Sequence, residues 1–423
     1  MGCLVADGPF SGLRVVEFGR FIAAPYCGQL LADGGADVIK VEDVTGDETR
    51  RNGPIIPGEG RQFLNKNRGK RSIAVDLGDL EALGAVRVLA ATADIVVANF
   101  RPGRAEALGL DYATLSRENP RLIYAENTAY GLKGPMAGAP GMDVVLAAYS
   151  GMAALTEHGP VLPEAPIIDY AAGLLLAWGV STALYHRERT GAGQRLDVSL
   201  LQAALVLQNN AVNHIDVIDE WRPAFVEYLR RAFVVGQTWA DILEERLARS
   251  PFVVSRAYYG ILRAADGALA VAALSQPLRL KMIALLGIED PWVTEPGWQP
   301  EDARAHVEAT VAAVESSLRS APVAHWLDEF GRIGIPAAPM RLREEMLDDP
   351  QVLANGFVER LEHSLLGGHT VVAPPVRFSV SPLTTGPASP RLGEHTRILL
   401  AEAGLGPGAI EALLERGAAA ETT

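Results

Sequence analysis

Cysteine is nearly absent: Cys3 and Cys27 are the only two in 423 residues. That is too few for a disulfide framework, and no Cys/His cluster has metal-ligand spacing. The expectation is a reducing, cytoplasmic compartment and no metal. Excess positive charge is also missing. A formal net charge of −13 argues against nucleic acid as a partner, because such binding depends on a basic surface that neutralises phosphates. A small polyanion asks only for a local basic patch. The opening Met1–Asp7 lacks the basic start and apolar run of a signal peptide, and Ala6 stands where a myristoylation motif carries Ser or Thr. The most apolar stretch, Tyr170 to Tyr185, covers about 16 residues where a membrane span needs about 20. It reads as a buried core helix, with no membrane partner.

The familiar phosphate-binding fingerprints are missing as well. Gly19-Arg20-Phe21-Ile22-Ala23-Ala24-Pro25 stands where a GxGxxG would follow the first strand, and there is no Walker A sequence. A nicotinamide-dependent dehydrogenase is therefore disfavoured. The lack of a GxSxG elbow removes the main support for serine-based acyl transfer.

What is present is an alternation of short β-rich runs and helical stretches through residue 130, the pattern of βαβ units around a parallel sheet. Leu13–Phe18, Ala36–Val41, Ser72–Asp76, Ile95–Asn99 and Leu122–Glu126 read as strands, with helices at Tyr26–Leu31 and Leu80–Thr92. Tyr170–Arg189 reads as a helix, and Gln194–Gln208 as a strand running into a helix. Residues 1–210 thus form the N-terminal part of a large Rossmann-like α/β domain. Residues 211–255, rich in Glu, Arg, Trp and Asn, carry no clean strand pattern and read as a connector. Residues 256–334 form a smaller α+β domain, with a strand pair around Asp266-Gly267 and helices from Leu278, Asp302 and Ala324. Residues 335–423 return to complete the large domain, with Gly417–Thr423 expected to fray.

Four blocks, in order, span nearly the whole chain. The first is GLRVVEFGRFIAAPYCGQLLADGGADVIKVE (Gly12–Glu42). The second joins GKRSIAVDL (Gly69–Leu77) to ADIVVANFRPG (Ala93–Gly103). The third runs from GPMAGAPGMD through IIDYAAG to ALYHRERTGAGQRLDVSLLQAAL, ending at Leu205. The fourth holds GIPAAPM (Gly334–Met340), DDPQVLANG (Asp348–Gly356), PPVRFS (Pro374–Ser379) and LGEHT (Leu392–Thr396). Each alone is a weak signal; their joint order and spacing resemble the class III CoA-transferases, of the formyl-CoA, carnitine and bile-acid CoA-transferase type.

That resemblance implies transfer of CoA from an acyl-CoA to a small carboxylic acid, with CoA as substrate and no tightly bound cofactor. It implies an interlocked homodimer. It places the nucleophile at Asp169, in Pro166-Ile167-Ile168-Asp169-Tyr170. A carboxylate suits this chemistry because the first product must itself be a reactive acyl group. An Asp directly before an apolar helix also suits an N-cap, and the two roles are compatible. Asp143, Asp197 and Asp76 are the competing carboxylates. The CoA contacts carried over are Ile22 and Ala23, then Val75, Asp76 and Leu77, then Asn99, Phe100 and Arg101, and the segment Ala139, Pro140, Gly141 and Met142. All sit at strand ends or loops, where open α/β sheets bind ligands.

This chain departs from the family pattern at Ala107 and Asp43, where cations are usual. Lys70, Arg71, Arg101 and Arg104, with Lys66 and Arg68 nearby, are the candidates to replace them at the phosphates. Racemases of the same family carry His before the Asp of the segment that here reads Gly141-Met142-Asp143. Met142 cannot exchange a proton, which favours transfer over racemisation of a 2-methylacyl-CoA. A noncatalytic subunit of a heteromeric transferase is a third reading, against which the retained Asp169 speaks. No glycine-run loop of the formyl-CoA type is found. Tyr258-Tyr259-Gly260 and the aromatic-rich stretch Trp221–Trp239 are candidates to shape the pocket instead.

Overall fold

The computed structural model describes residues 8–56, 58–250 and 255–422; the N-terminal Met1–Asp7, with Cys3, lie outside them. The chain divides into two compact units, one formed by residues up to His214 together with those from Gln351 onward, the other by Ile215–Pro350.

In the first unit, β-branched runs build the sheet. Arg14–Phe18 pairs in parallel with Asp37–Glu42 on one side and Ile95–Ala98 on the other. Lys70–Val75 extends the sheet beyond Asp37–Glu42, while Ile123–Thr128 and Gln194–Ser199 extend it beyond Ile95–Ala98. Numbered along the chain, these strands stand in the order 3-2-1-4-5-6, which is the doubly wound Rossmann arrangement. Ala419–Ala420 adds an antiparallel edge against Ala74 and Val75. The expected fraying of Gly417–Thr423 is corrected for Gly417–Thr422, Thr423 lying outside the described residues: Ala418 and Ala419 are buried, and a two-residue alanine strand carries no β signal to read in advance.

Strand alternation sends Val16, Ile39, Ile73 and Val96 to one face, under helix Leu80–Ala91 and the C-terminal helices Thr396–Glu402 and Pro407–Glu415. It sends Val15, Val38, Ile95 and Ile123 to the other face, under helices Ala23–Asp33 and Ile167–Thr190. Asp79 caps Leu80–Ala91 by accepting from the amides of Glu81 and Ala82, satisfying two of its orphan donors.

The long helix Ile167–Thr190 departs from the expectation of a fully buried element. Ile168, Ala172, Leu176, Val180 and Ala183 are buried, whereas Leu174, Trp178 and Tyr185 on the opposite side are exposed. By length and composition alone it could cross a membrane, but one face packs closely. A Cβ on Gly173 would lie 2.8 Å from the Ala23 carbonyl oxygen, so the glycine lets this helix approach the start of Ala23–Asp33.

The second unit is a three-stranded antiparallel sheet, Tyr259–Arg263, Ala268–Ala272 and Ala337–Pro339. Helices Gln276–Leu286, Ala303–Leu318 and Val323–Ile333 cover it around a core containing Leu262, Val271, Met282, Trp326 and Phe330. The stretch read as a connector contains two helices, Arg222–Ala232 and Trp239–Arg249. Pairing of Ala337–Pro339 with Ala268–Ala272 also holds residues 335–350 in this unit.

Candidate active site

Strands Arg14–Phe18 and Ile95–Ala98 are neighbours whose outgoing connections wind opposite ways, so their carboxyl ends open the crevice where such sheets take ligands. Asn99 closes the floor of that crevice. Its Oδ1 accepts from the Arg20 amide at 3.0 Å and its Nδ2 donates to the Arg20 carbonyl at 2.9 Å. The rings of Phe100 and Phe18 lie 5.1 Å apart. Phe21 has φ +63°, a left-handed conformation that costs a bulky residue on the order of 1–3 kcal/mol and is found where structure over-determines it. Ile22 and Ala23 follow at the start of helix Ala23–Asp33. Ile22, Ala23, Asn99, Phe100 and Arg101 are thus brought to one place.

Asp169 lies in the first turn of Ile167–Thr190 rather than ahead of it. The capping role open to it is performed from outside: the Asp143 carboxylate accepts from the amides of Ile168 at 2.9 Å and Asp169 at 3.1 Å. The Asp169 side chain is buried, and among the described residues no hydrogen bond reaches its carboxylate. Burial chiefly, and the Asp143 charge next, push its carboxyl up to about 7, with Lys66 opposing. A buried carboxyl pushed upward, with no hydrogen bond to a neighbour, makes Asp169 a candidate nucleophile. The rings of Tyr26 and Tyr170 pack edge to face beside it at 5.0 Å.

The Ala139–Met142 segment stands next to this carboxylate through its neighbour Asp143. Met142 is exposed at the start of helix Asp143–Tyr149. Gly141 packs so tightly that a Cβ would fall 2.6 Å from the Ala129 Cβ. The other competing carboxylates are engaged elsewhere: Asp197 pairs with Arg195, and Asp76 accepts from the Gly78 amide.

The basic candidates divide sharply. Lys70 is not on a loop surface. Its fully buried ammonium donates to Glu17 at 2.6 Å, to the Pro25 carbonyl at 2.8 Å and to Asn67 at 2.8 Å. Arg71 is held by Asp37 and Glu402, and Arg68 is buried against Asp33. None of these three has a free donor face to offer a phosphate: strand alternation turns Lys70 inward under helix Ala23–Asp33, and every guanidinium nitrogen of Arg68 and Arg71 already has an acceptor. Val75 likewise points into the core, and the Asp76 amide donates to the Ala418 carbonyl. Leu77 packs against the same core. Arg101 and Arg104 remain exposed beside the crevice, and no ion pair engages either among the described residues. Replacing Arg101 or Arg104 by Ala is expected to weaken CoA binding about tenfold or more for a residue that meets a phosphate. Calorimetry with CoA and dephospho-CoA separates contacts to the 3′-phosphate, which would matter only for CoA, from contacts to the pyrophosphate.

Two features escaped sequence reasoning. One is a buried charge cluster below the crevice: Glu17 binds both Lys70 and Lys40, and Lys40 also donates to the Gly19 carbonyl at 2.7 Å. The other is the place of Lys66, read among the phosphate candidates and found buried next to Tyr170. Tyr258, read as a pocket residue, is buried inside the second unit, where its hydroxyl donates to Asp290 at 2.6 Å. Phe225 stacks on Tyr228 there and meets Trp221 at a tilt.

Comparison with known proteins identifies the family. Residues 10–396 match the family model described as CoA-transferase family III. The succinate–glutarate CoA-transferase of Agrobacterium fabrum is 33% identical over 93% of this chain and 95% of its own length. The mouse succinyl-CoA:glutarate CoA-transferase is 31% identical over 97% and 90%. The crystal structure of a mutant of Rv3272 from Mycobacterium tuberculosis superposes with a TM-score of 0.76 at 30% identity, covering 94% of this chain and 99% of that one. With the doubly wound sheet and the CoA-type blocks along its strand ends, the chain belongs to CoA-transferase family III and is a CoA-transferase.

Proposed function

We propose that CoA moves from an acyl-CoA donor to a small carboxylic acid through an aspartyl-CoA thioester on Asp169. The observation that carries this reading is the Asp169 carboxylate itself: buried at the carboxyl edge of the sheet, with no hydrogen bond among the described residues, its capping duty taken by Asp143. The ionised carboxylate attacks the thioester carbonyl, the C–S bond breaks, and a mixed anhydride and CoA thiolate result. The thiolate attacks the aspartyl carbonyl and expels the donor carboxylate, leaving aspartyl-CoA. The acceptor carboxylate repeats the two steps in reverse and departs as its CoA ester, restoring Asp169 without net proton transfer. The first helical turn supplies a positive dipole end beside the developing oxyanions. Met142 has no exchangeable proton to lend to racemisation.

The relatives named for succinate and glutarate support a small carboxylic acid as acceptor. We place the enzyme in the cytoplasm, without a tightly bound cofactor, as an interlocked homodimer. The exposed Leu174, Trp178 and Tyr185 on the long helix support a further copy covering that face. Incubation with acyl-CoA, quenching and peptide mass analysis is expected to find a CoA adduct on Asp169 that hydroxylamine converts to the hydroxamate. An adduct on another residue, or none during steady turnover, overturns the mechanism.

A further inference from the structure

Lys66 is the buried cation of this site for which the fold provides little counter-charge. It follows the short helix Arg61–Leu64 and is 3% exposed. Among the described residues its side chain donates one hydrogen bond, to the Gln62 carbonyl at 3.3 Å. Its ammonium lies 5.6 Å from the centroid of the Tyr170 ring, the residue after Asp169. An ammonium has three donors, and burying one with a single long bond is costly unless a negative partner compensates. Two carboxylates are near enough to act on it, Asp169 and Asp47, while burial opposes them. Asp47 already faces another cation: its Oδ1 accepts from Thr49, and its Oδ2 lies 3.1 Å from the Lys40 ammonium. Asp169 is therefore the counter-charge left to Lys66.

No ion pair within 4 Å joins the two groups among the described residues, so Asp169 acts on Lys66 by charge alone, and that charge changes during the reaction. Rested on the Asp169 mechanism above, the aspartyl carboxylate loses its charge whenever it is an anhydride or a thioester. Lys66 then stands buried with no free anion at hand, at the moment when an acid must enter a site that already holds the Asp143 carboxylate. We infer that Lys66 is the anchor for the acceptor's carboxylate, and that esterification of Asp169 is what frees it for that role. The resting enzyme keeps Lys66 for Asp169, and the thioester form releases it to the incoming carboxylate. By microscopic reversibility the same ammonium holds the donor carboxylate as it is expelled. The site would thus select small carboxylate anions and bind them in order, after CoA has been captured.

The test compares Lys66→Met and Lys66→Arg with the wild-type enzyme, each on the high-pH plateau of its own kcat/KM profile, so that Asp169 is compared in its ionised form. The acceptor is glutarate and the donor succinyl-CoA, unless another pair turns over faster. Lys66→Met is expected to raise KM for the acceptor about tenfold or more, the loss of one charge-assisted hydrogen bond. It should weaken product inhibition by the donor acid by a similar factor, while KM for the acyl-CoA changes by less than about threefold. Lys66→Arg should recover most of the acceptor affinity. An unchanged acceptor KM, or equal rises in both KM values, overturns the inference, and the second outcome assigns Lys66 a structural role. Peptide mass analysis on the same samples keeps the two ideas apart. If the wild type forms no Asp169 adduct, the underlying mechanism fails; if both form it and acceptor KM stays level, only the Lys66 assignment fails.

Discussion

Replacing Asp169 by alanine is expected to lower kcat by about 10⁴-fold or more, the scale seen when a covalent nucleophile is removed and only binding remains. Asparagine, nearly isosteric, should be as damaging, because the amide cannot form the anhydride. The pH profile supplies an independent reading. The attacking form is the carboxylate, and burial with the Asp143 charge pushes this carboxyl up to about 7. kcat/KM for the acyl-CoA reports the free enzyme, so it should fall about tenfold per pH unit below neutrality and level off above. Lys66 opposes the upward push, so Lys66→Met should move the acid limb to higher pH. A limb that stays near the ordinary carboxylate range in both proteins would mean that the titrating group is not Asp169.

The same carboxyl sets a trade between stability and activity. An aspartate whose folded value lies above its unfolded one stabilises the fold while it is protonated. The contribution is fully present below the ordinary value of 3.8 and is lost as pH rises through about 7. At 1.36 kcal/mol per pH unit the loss amounts to at most about 4 kcal/mol. Asp169→Asn cannot ionise, so in thermal unfolding its advantage over wild type should grow from pH 4 to pH 7 and then hold steady. The enzyme is least stable in the protonation state in which it works.

Strand and helix identities along the large sheet could be read from the chain because β-branched runs and turn residues alternate cleanly, as in Val38-Ile39-Lys40-Val41 and Asp79 before Leu80. The order of blocks singled out Asp169, Asn99, Ile22 and Ala23, and the fold sets Asn99 against Arg20, in the loop just before Ile22. What could not be read was who neutralises whom. Lys66-Asn67-Arg68-Gly69-Lys70-Arg71 looks like a basic loop, yet Arg68, Lys70 and Arg71 pair with Asp33, Glu17 and Asp37, partners supplied by other elements through space. Asp143 capping a distant helix is equally invisible, since the contact crosses 25 residues. The helices within the supposed connector did leave a signal. Thr238 and Asp241 form a capping box, each binding the other's backbone amide, and that Thr-x-x-Asp spacing marks a helix start.

Gly28→Ala should destabilise the protein although it places a better helix former in the middle of Ala23–Asp33. Ordinarily the change is worth up to about 1 kcal/mol in favour of alanine. Here the added Cβ would lie 2.0 Å from Glu17 Oε2 and 3.2 Å from the Lys70 Nζ. A carboxylate at the end of a side chain can often swing away, but this one is fully buried between Lys70 at 2.6 Å and Lys40 at 3.2 Å. Moving it strips a counter-charge from two buried ammonium groups, and breaking a buried pair costs about 3–5 kcal/mol. The net expectation is a loss of about 2–4 kcal/mol, read as a lower urea midpoint. Gly84→Ala in helix Leu80–Ala91 is the control, because its Cβ would meet nothing within 4 Å, and it should leave the midpoint unchanged or raise it. The damage should extend to binding. Lys40 holds the Gly19 carbonyl and Lys70 that of Pro25, the two ends of the loop that carries strained Phe21, so loosening Glu17 frees the crevice floor and should raise KM for acyl-CoA along with the loss of stability. Equal midpoints for the Gly28 and Gly84 variants would show that Glu17 relocates at little cost and that the cluster does not brace the site.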